Sequence, residues 1–323
     1  ATDELPEGVA DHDRWVTSLA YSPDGKTLFT AGGESLMFRP GDVMLWDAYS
    51  GKLVASLSGH ETNVWSIAIS SDGASLATSG YDGKVILWDV AKREAKHTLE
   101  KHKGWVRNVA FSPDGKLLAS AGEDGTVILW NTDTGEVAQE IKAHEAAVYC
   151  VAFSPDGSTL ATAGLDQTAK LWNVADGTEK AKLEGHEDAV WCVAFSPDGS
   201  TIATAGADRL VHIWDAAGAA KASLVGHKDW VSSLAFTPDG KHLASGGHDR
   251  SVRIWNLESA IKLSDMAADV AKKVQSARRA ASEANLAAES AARAASCSTS
   301  SSGRTQGAPP ATRKQRSSNC KRN

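Results

Sequence analysis

A repeat of about 42 residues runs through most of the chain and constrains its fold more than any other sequence feature. A Trp followed by Asp or Asn recurs six times, at spacings of 42, 42, 42, 42 and 41 residues. These residues are Trp46, Trp88, Trp130, Trp172, Trp214 and Trp255. A His precedes the Trp by 28 residues in five units and by 34 in the first, which therefore carries a six-residue insertion. Such a chain folds as a series of equal units, each packed against its neighbours.

Each unit consists of short apolar runs separated by turn residues, a pattern that predicts strands rather than helices. In Val-Ala-Phe-Ser-Pro-Asp-Gly at 151–157, Pro presets its own φ and Gly tolerates a positive φ, so Ser-Pro-Asp-Gly predicts a tight turn between the first two strands. The third strand ends at the Trp, as in 84–88, and a fourth follows, as in 52–57. Each unit is therefore predicted to be a four-stranded antiparallel sheet, and closing the sheets into a ring leaves only short edges.

The six units resemble the WD-repeat β-propeller family, over roughly four-fifths of the chain. The resemblance implies a hydrogen-bonded tetrad of His, Thr or Ser, Asp and Trp inside each blade. The tetrads are His60, Thr78, Asp82 and Trp88; His102, Ser120, Asp124 and Trp130; His144, Thr162, Asp166 and Trp172; His186, Thr204, Asp208 and Trp214; and His227, Ser245, Asp249 and Trp255. The first unit has His12, Thr30 and Trp46, but Glu34 stands in place of the Asp.

The chain is thus expected to be an all-β propeller of four-stranded antiparallel blades over residues 12–263, with an α-helical and disordered C-terminal extension. We favour six blades, with residues 1–11 as a ring-closing outer strand and residues 260–263 as a stub of the last outer strand. Seven blades, with one repeat upstream of the sequence, is the alternative, because the chain begins with Ala rather than Met.

The recurrent His, Asp and Ser or Thr are not interpreted as a catalytic triad. An active site is normally built once, whereas this set occurs five times at one spacing and always with a Trp. The sequence contains no Gly-rich phosphate loop, no Gly-x-Ser-x-Gly elbow and no close Cys pairing typical of a zinc site. We therefore predict no enzyme activity, no metal site and no cofactor.

Positions at which the repeats differ are expected to determine the partner. The residues three and five after each His alternate with a core Val, so they are expected to point to the other face of the innermost strand, at one mouth of the channel. Residues just before the tetrad Asp, and the first-unit insertion, join the same rim. The predicted partner-binding residues are Trp15, Trp65, Tyr81, Trp105, Arg107, Glu123, Tyr149, Trp191, Trp230, His248, Phe38 and Arg39. Aromatic residues with an Arg are typical of binding hot spots. Packing against the neighbouring blade is the alternative role, and an ammonium cage a further one.

After residue 263 the composition changes to Ala, Ser, Lys, Arg and Glu. Residues 264–296 lack Gly and Pro, which predicts an Ala-rich helix that could pair weakly with itself as a coiled coil. Residues 297–323 carry six basic and no acidic side chains and are expected to be a disordered tail. Nucleic acid is expected to bind, if at all, through this tail.

The function expected from the sequence is a non-catalytic protein–protein interaction scaffold that binds a peptide or protein segment on the aromatic rim. The alternative is a recruiting or regulatory domain of a larger enzyme whose catalytic part lies outside this chain. The four Cys are scattered and no apolar run is long enough to span a membrane, so a cytoplasmic location without membrane contact is expected.

Overall fold

The computed structural model describes residues 15–33, 40–267, 269–276 and 278–279. Within them, 23 strands form six antiparallel sheets in chain order. The first three sheets contain β1 (Trp15–Tyr21), β2 (Thr27–Gly33), β3 (Asp42–Asp47) and β4 (Leu53–Leu57); β5 (Val64–Ile69), β6 (Ser75–Gly80), β7 (Lys84–Asp89) and β8 (Glu94–Glu100); and β9 (Val106–Phe111), β10 (Leu117–Gly122), β11 (Thr126–Asn131) and β12 (Val137–Lys142). The last three contain β13 (Val148–Phe153), β14 (Thr159–Gly164), β15 (Ala169–Asn173) and β16 (Glu179–Leu183); β17 (Val190–Phe195), β18 (Thr201–Gly206), β19 (Leu210–Asp215) and β20 (Ala220–Val225); and β21 (Val231–Phe236), β22 (His242–Gly247) and β23 (Val252–Asn256).

The six sheets are the blades of a β-propeller, which confirms the predicted fold class. The inner strands pack in the order β1, β5, β9, β13, β17 and β21. Each apolar cluster between neighbouring blades joins the second to fourth strands of one blade to the next blade, as Val43 and Leu45 meet Val64 and Ile67. The core therefore lies between the sheets, because a single blade cannot cover its own faces.

The Ser-Pro-Asp-Gly segments form the predicted turns between the first and second strands. In the fourth blade, Ser154 Oγ donates to Asp156 Oδ1 over 2.5 Å, and the Asp156 carboxylate accepts the Ser158 backbone N–H over 3.0 Å. These bonds lower the pKa of Asp156 to about 2. Gly157 has φ of 71°, a conformation that glycine adopts without steric cost.

The sixth blade departs from the prediction because it has three strands rather than four. The residues expected to be a strand stub, 260–263, are helical, and the helix begins at residue 257 rather than at 264. Asn256 Oδ1 accepts the Ser259 backbone N–H over 2.9 Å, which is the geometry of a helix N-cap. In three of the other blades, a glycine with positive φ lies in the turn between the third and fourth strands, as Gly135 and Gly177 do. Ala260 occupies the equivalent position in the sixth blade. The helix is therefore the locally favoured continuation.

The chain divides into two compact units after Asp265. In the first unit, the start of the helix places Leu257, Ala260 and Ile261 against the core of the fifth and sixth blades. In the second unit, the described residues from 266 to 279 are helical, and Met266, Val270 and Val274 are exposed. Coiled-coil pairing of this helix stays a prediction. The proposed closing strand at 1–11 and the tail at 297–323 lie outside the described residues.

Candidate functional site

The structure brings together the four residues of each predicted tetrad in the second to sixth blades. In the second blade, His60 Nδ1 lies 3.0 Å from Asp82 Oδ2, and His60 Nε2 lies 2.8 Å from Thr78 Oγ1. Trp88 Nε1 donates to the same Thr78 hydroxyl over 2.9 Å. Equivalent contacts link His102, Ser120, Asp124 and Trp130; His144, Thr162, Asp166 and Trp172; His186, Thr204, Asp208 and Trp214; and His227, Ser245, Asp249 and Trp255.

Donors and acceptors match along each tetrad when the His proton is on Nδ1. The Nδ1–H then donates to the Asp carboxylate, and the hydroxyl donates to Nε2 while it accepts the Trp N–H. Burial raises the pKa of Asp82, but the hydrogen bonds that its carboxylate accepts from His60 and from the backbone N–H groups of Lys84 and Glu61 outweigh burial and hold that pKa below its ordinary value. Burial lowers the pKa of His144, although Asp166 opposes this effect. Both ring nitrogens and the hydroxyl are occupied inside the blade, so the tetrad has no free nucleophile.

The first blade keeps one tetrad contact among the described residues. Trp46 Nε1 donates to Thr30 Oγ1 over 2.7 Å. His12 and Glu34, the other two residues of this unit, lie outside the described residues, as do Phe38 and Arg39 of the insertion. The insertion's predicted place over the rim therefore stays a prediction.

Backbone hydrogen bonds join the two sets of predicted rim positions within each of five blades. The residue just before the tetrad Asp donates its N–H to the carbonyl of the residue three after the His. Examples are Tyr81 to Asn63 over 3.0 Å, Glu123 to Trp105 over 2.8 Å and His248 to Trp230 over 2.8 Å. The second-to-third-strand turn and the entry of the inner strand therefore meet at one end of each blade, as the sequence predicts.

Rim side chains from successive blades form a nearly continuous arc of aromatic rings. Ring centroids are 5.1 Å apart for Trp65 and Tyr81, and 3.9 Å apart for Tyr81 and Trp105. Beyond Arg107, the arc continues with Tyr149 and Trp191 at 4.3 Å, Trp191 and Trp230 at 5.7 Å, and Trp230 and His248 at 5.5 Å. The arc spans the second to the sixth blade. Three of its ring pairs, Trp65–Tyr81, Trp191–Trp230 and Trp230–His248, have centroid separations in the range of favourable aromatic pairs, and the other two are closer.

Arg107 connects the two halves of the arc. Its Cζ lies 5.0 Å from the Trp65 and Trp105 centroids, 5.8 Å from Tyr81 and 5.6 Å from Tyr149. These distances are within the range of cation–π attraction. An Nη of Arg107 also lies 3.9 Å from a Glu123 carboxylate oxygen. The chain's own guanidinium therefore fills the place that an ammonium ligand would take in an aromatic cage.

Packing accounts for part of the arc, and exposure differs along it. Trp65, Trp105, Tyr149 and Trp191 are half-buried, whereas Trp230 is 44% exposed. The N–H groups of Trp65 Nε1, Trp191 Nε1 and Arg107 Nε are shielded from solvent and have no hydrogen-bond partner in the described structure. Trp15 of the first blade is 67% exposed and makes no ring contact with the described arc. The structure thus separates Trp15 from the other predicted rim aromatics.

A shallow cavity of about 450 Å³ adjoins the exposed end of the arc at Trp230. Its charged lining residues are Glu187, Asp188, Asp208, Asp229, Arg209 and Lys228. Four carboxylates face two cations there, so the lining carries a formal excess of two negative charges. The sequence analysis did not single out this cavity, since its residues come from three turns of the fifth and sixth blades.

A polar belt between the inner strands was also missed. The side chain six residues after the His bonds to the backbone of the next blade. Ser18 Oγ accepts the Ile67 N–H over 3.3 Å, Asn108 Oδ1 accepts the Val151 N–H over 3.0 Å, and Cys150 Sγ donates to Val193 O over 3.6 Å. Cys150 and Cys192 occupy the position of this belt in the fourth and fifth blades. The signal in the sequence is that Ser, Asn or Cys occupies the position in all six units.

One cluster in the described part of the chain has the proximity expected of metal ligands. Ligand atoms of His186, Asp208 and His212 lie within 4.8 Å of one another. His186, however, contacts Asp208 through Nδ1 at 2.8 Å and Thr204 through Nε2 at 2.8 Å, so the tetrad already uses both nitrogens. These residues fit a structural tetrad with an adjacent His better than a metal centre.

Comparisons with known families agree with this geometry. The model described as the second β-propeller of echinoderm microtubule-associated protein matches residues 64–218, and the model of the WD domain, G-beta repeat, matches 7–47 and 218–256. The chain belongs to the WD-repeat β-propeller family. WD-repeat propellers are typically protein-interaction scaffolds and are generally non-catalytic.

Three curated relatives match short stretches of this WD-repeat propeller. The guanine nucleotide-binding protein subunit beta of Schizosaccharomyces pombe is 37% identical over 21% of the chain and 20% of its own length. WD repeat-containing protein 1 of Xenopus tropicalis is 31% identical over 23% of the chain and 12% of its own length. The human apoptotic protease-activating factor 1 is 36% identical over 20% of the chain and 5% of its own length. The chain thus spans a fifth or less of each relative.

No helix in the described part of the chain is long and apolar enough to cross a bilayer.

Proposed function

We propose that this propeller is a non-catalytic scaffold that binds a peptide or protein segment across the aromatic rim. The observation that carries the proposal is the arc from Trp65 to His248, which gathers rings from five blades at one mouth of the channel. Large aromatic side chains and Arg are the residue types that dominate binding energy at interfaces.

The charge of the rim favours a partner segment with both apolar and basic side chains. The arc offers apolar area and ring faces, and the cavity beside Trp230 offers an excess of carboxylates. A basic side chain that enters this cavity would be attracted by Asp188 and Asp229, while its apolar neighbours pack on Trp230 and Trp191.

The proposed absence of catalysis rests on the tetrads. Every His of the five complete tetrads is held by the Asp and hydroxyl of its own blade. At the rim, Arg107 and Glu123 contact each other. The site therefore supports recognition rather than a reaction.

A cytoplasmic location is proposed on the state of the thiols. Cys150 and Cys192 lie on neighbouring inner strands and are free rather than joined in a disulfide. Free neighbouring thiols are typical of a reducing compartment.

The test is selection from a displayed peptide library against the full chain, followed by counter-selection with Trp230→Ala. Trp230 is exposed, so its truncation is expected to leave the fold intact. The matched control is Tyr49→Ala, which removes an 81% exposed aromatic from a third-to-fourth-strand turn at the opposite end of a blade. Enrichment of basic, apolar peptides that is lost with Trp230→Ala and kept with Tyr49→Ala supports the proposal. Peptides that bind all three proteins equally would contradict it.

A further inference from the structure

Arg107 interrupts the row of aromatic side chains that builds the rim. It is the fifth residue after His102, and the equivalent residues of the two neighbouring blades are Trp65 and Tyr149. Arg107 is the only charged residue at this position in the six units. Packing between the blades would be served by a third aromatic residue, so packing alone does not account for a charged side chain here.

The guanidinium of Arg107 lies among rings, but its N–H groups find no hydrogen-bond acceptor in the described structure. Four ring centroids lie 5.0 to 5.8 Å from Cζ, and aromatic faces attract a cation but accept hydrogen bonds only weakly. The carboxylate of Glu123 comes within 3.9 Å of an Nη, which is longer than a hydrogen bond. A guanidinium has five N–H donors, and the rim leaves those of Arg107 unused.

The Nη groups are the part of the guanidinium that a ligand reaches. The Arg107 side chain is 19% exposed, and of its three nitrogens only Nε is fully shielded from solvent. The rings around the charge exclude most of the water that would screen it. A cation in such a place gains more from an anionic acceptor than a fully exposed cation does.

We infer that Arg107 binds one side-chain carboxylate of the partner segment, from an Asp or Glu that pairs with its Nη groups. This inference rests on the proposed function and adds a second charge to the chemistry of the partner. The planar guanidinium binds a carboxylate through two parallel N–H···O bonds, which a Lys ammonium does not reproduce. The segment is therefore one that carries an acidic side chain as well as the basic side chain held beside Trp230.

The arc sets the spacing between these two charged side chains. Cζ of Arg107 lies 5.6 Å from the Tyr149 centroid, which lies 4.3 Å from that of Trp191. The Trp191 centroid lies 5.7 Å from that of Trp230, which lines the acidic cavity. An extended chain advances about 3.3 Å per residue, so about five residues or fewer separate the acidic from the basic side chain. The apolar side chains between them pack on the rings of the arc.

Glu123 is the competitor of the incoming carboxylate. Its side chain is 39% exposed, and its backbone N–H donates to Trp105 O over 2.8 Å, so the turn does not depend on the carboxylate. Glu123→Gln removes a like charge from beside the bound Asp or Glu, and binding should strengthen about threefold. A segment that instead placed a basic group on Glu123 would bind this variant more weakly.

The test uses the full chain and the peptide that is enriched most strongly from a displayed library of random ten-residue peptides, synthesised with an amidated C-terminus. Amidation leaves side chains as the only carboxylates. We expect this peptide to carry Asp or Glu within about five residues of a Lys or Arg. Replacing that acidic residue with Asn or Gln should weaken binding to the wild type at least tenfold. The same replacement should change binding to Arg107→Gln by less than about twofold, because the paired guanidinium is absent.

Matched variants separate the guanidinium from a general effect of charge. Arg93→Gln removes the same charge from an exposed turn between β7 and β8, at the opposite end of a blade, and should leave both peptide affinities unchanged. Arg107→Lys keeps the charge but not the paired donors, so it should lose part of the preference for the acidic peptide. The comparison of the two peptides on the wild type needs no protein variant, so it decides the matter even if Arg107→Gln does not fold.

Four results would overturn the inference: selected peptides without Asp or Glu, equal wild-type affinity for the acidic and neutral peptides, binding that requires a free C-terminus, or weaker binding by Glu123→Gln. If such peptides still lose affinity with Trp230→Ala and keep it with Tyr49→Ala, the proposed function stands and only the role of Arg107 fails. Peptides that bind all three proteins equally, or a library that yields no binding peptide, would contradict both.

Discussion

At the scale of single residues, the tetrads show how a polar network stabilises a blade without forming an active site. The Thr or Ser hydroxyl lies between a Trp N–H and a His nitrogen, as Thr162 does between Trp172 and His144. All three are buried, so each depends on the others for its hydrogen bonds.

Replacing Thr162 with Val should therefore destabilise the propeller strongly. The change keeps the volume but leaves Trp172 Nε1 and His144 Nε2 buried without partners, so we expect the free energy of unfolding to fall by about 2 to 4 kcal/mol. Urea unfolding followed by Trp fluorescence measures the change. Thr98→Val is the control, because Thr98 is exposed on β8 and makes no side-chain hydrogen bond in the described structure. Equal stabilities would show that the tetrad bonds contribute little.

A second prediction concerns His212, which stands where the second and third blades have Ile86 and Ile128. Its Nδ1 contacts Ser223 Oγ at 2.8 Å, but its buried Nε2 finds no hydrogen bond of acceptable geometry. Burial, followed by the charge of His186, lowers its pKa from 6.5 to about 4, although Asp208 opposes the shift. Below pH 6.5 the unfolded chain binds a proton that the folded chain does not, so this residue's contribution is lost as the pH falls from 6.5 towards 4.

His212→Ile should remove this loss, which amounts to about 1 kcal/mol for each pH unit in that window. Stability measured at pH 7 and at pH 5 should then differ less in the variant than in the wild type. His242→Ile, at a half-buried site on β22, is the comparison. An unchanged pH dependence in His212→Ile would mean that folding does not lower the pKa of His212.

The spacing of residues within the repeats predicted which side chains meet at the rim, but it did not predict how they pack there. The spacing from each His put Trp105, Tyr149 and Trp191 on one mouth, and backbone bonds agree with that placement. The central place of Arg107 depends on ring contacts between three blades, which no single repeat encodes. The polar belt through Asn108 and Cys150 was readable in principle, because every unit has a polar or thiol side chain there.

At the scale of elements, the turn between the second and third strands varies in a way that affects stability. Gly83 and Gly125 adopt φ of 75° and 79° in this turn, whereas Gln167, Arg209 and Arg250 adopt φ of 69°, 71° and 63° with side chains present. A side chain in this left-handed region is strained by about 1 kcal/mol or more.

Gln167→Gly should therefore stabilise the propeller, by about 0.5 to 1 kcal/mol after the greater freedom of Gly in the unfolded chain is subtracted. Chemical unfolding at neutral pH measures the effect. Gln167→Ala keeps the strained backbone and serves as the control, with little change expected. A loss of stability in the Gly variant as large as the roughly 1 kcal/mol that Gly causes in the interior of a helix would contradict this account.

Local sequence predicted most of the strands and turns, but not every element. Strands and Ser-Pro-Asp-Gly turns followed directly from alternation and turn residues in each repeat. The end of the sixth blade could not be predicted in this way, because residues 260–263 are compatible with both a short strand and a helix. The Asn256 cap and the packing of Leu257 on the core favour the helix there.

At the scale of the whole molecule, the positions that the repeats share and the positions at which they differ have separate roles. The shared positions build the interfaces between blades, and they made the propeller predictable from spacing alone. The positions that differ form the aromatic arc, and the two end blades leave Val16, Leu19, Val252 and Ile254 exposed. Neither the extent of the arc nor the exposure of these side chains could be predicted from one repeat, because both depend on contacts among blades.

The central claim is that the rim is the binding surface, and one affinity measurement tests it most directly. The dissociation constant of the strongest selected peptide is determined for the wild type, Trp230→Ala and Tyr49→Ala at one salt concentration. We expect Trp230→Ala to bind at least tenfold more weakly, a loss of about 1.4 kcal/mol or more, and Tyr49→Ala to match the wild type. Equal affinity in all three proteins, or a loss confined to Tyr49→Ala, would place binding away from the rim and contradict the claim.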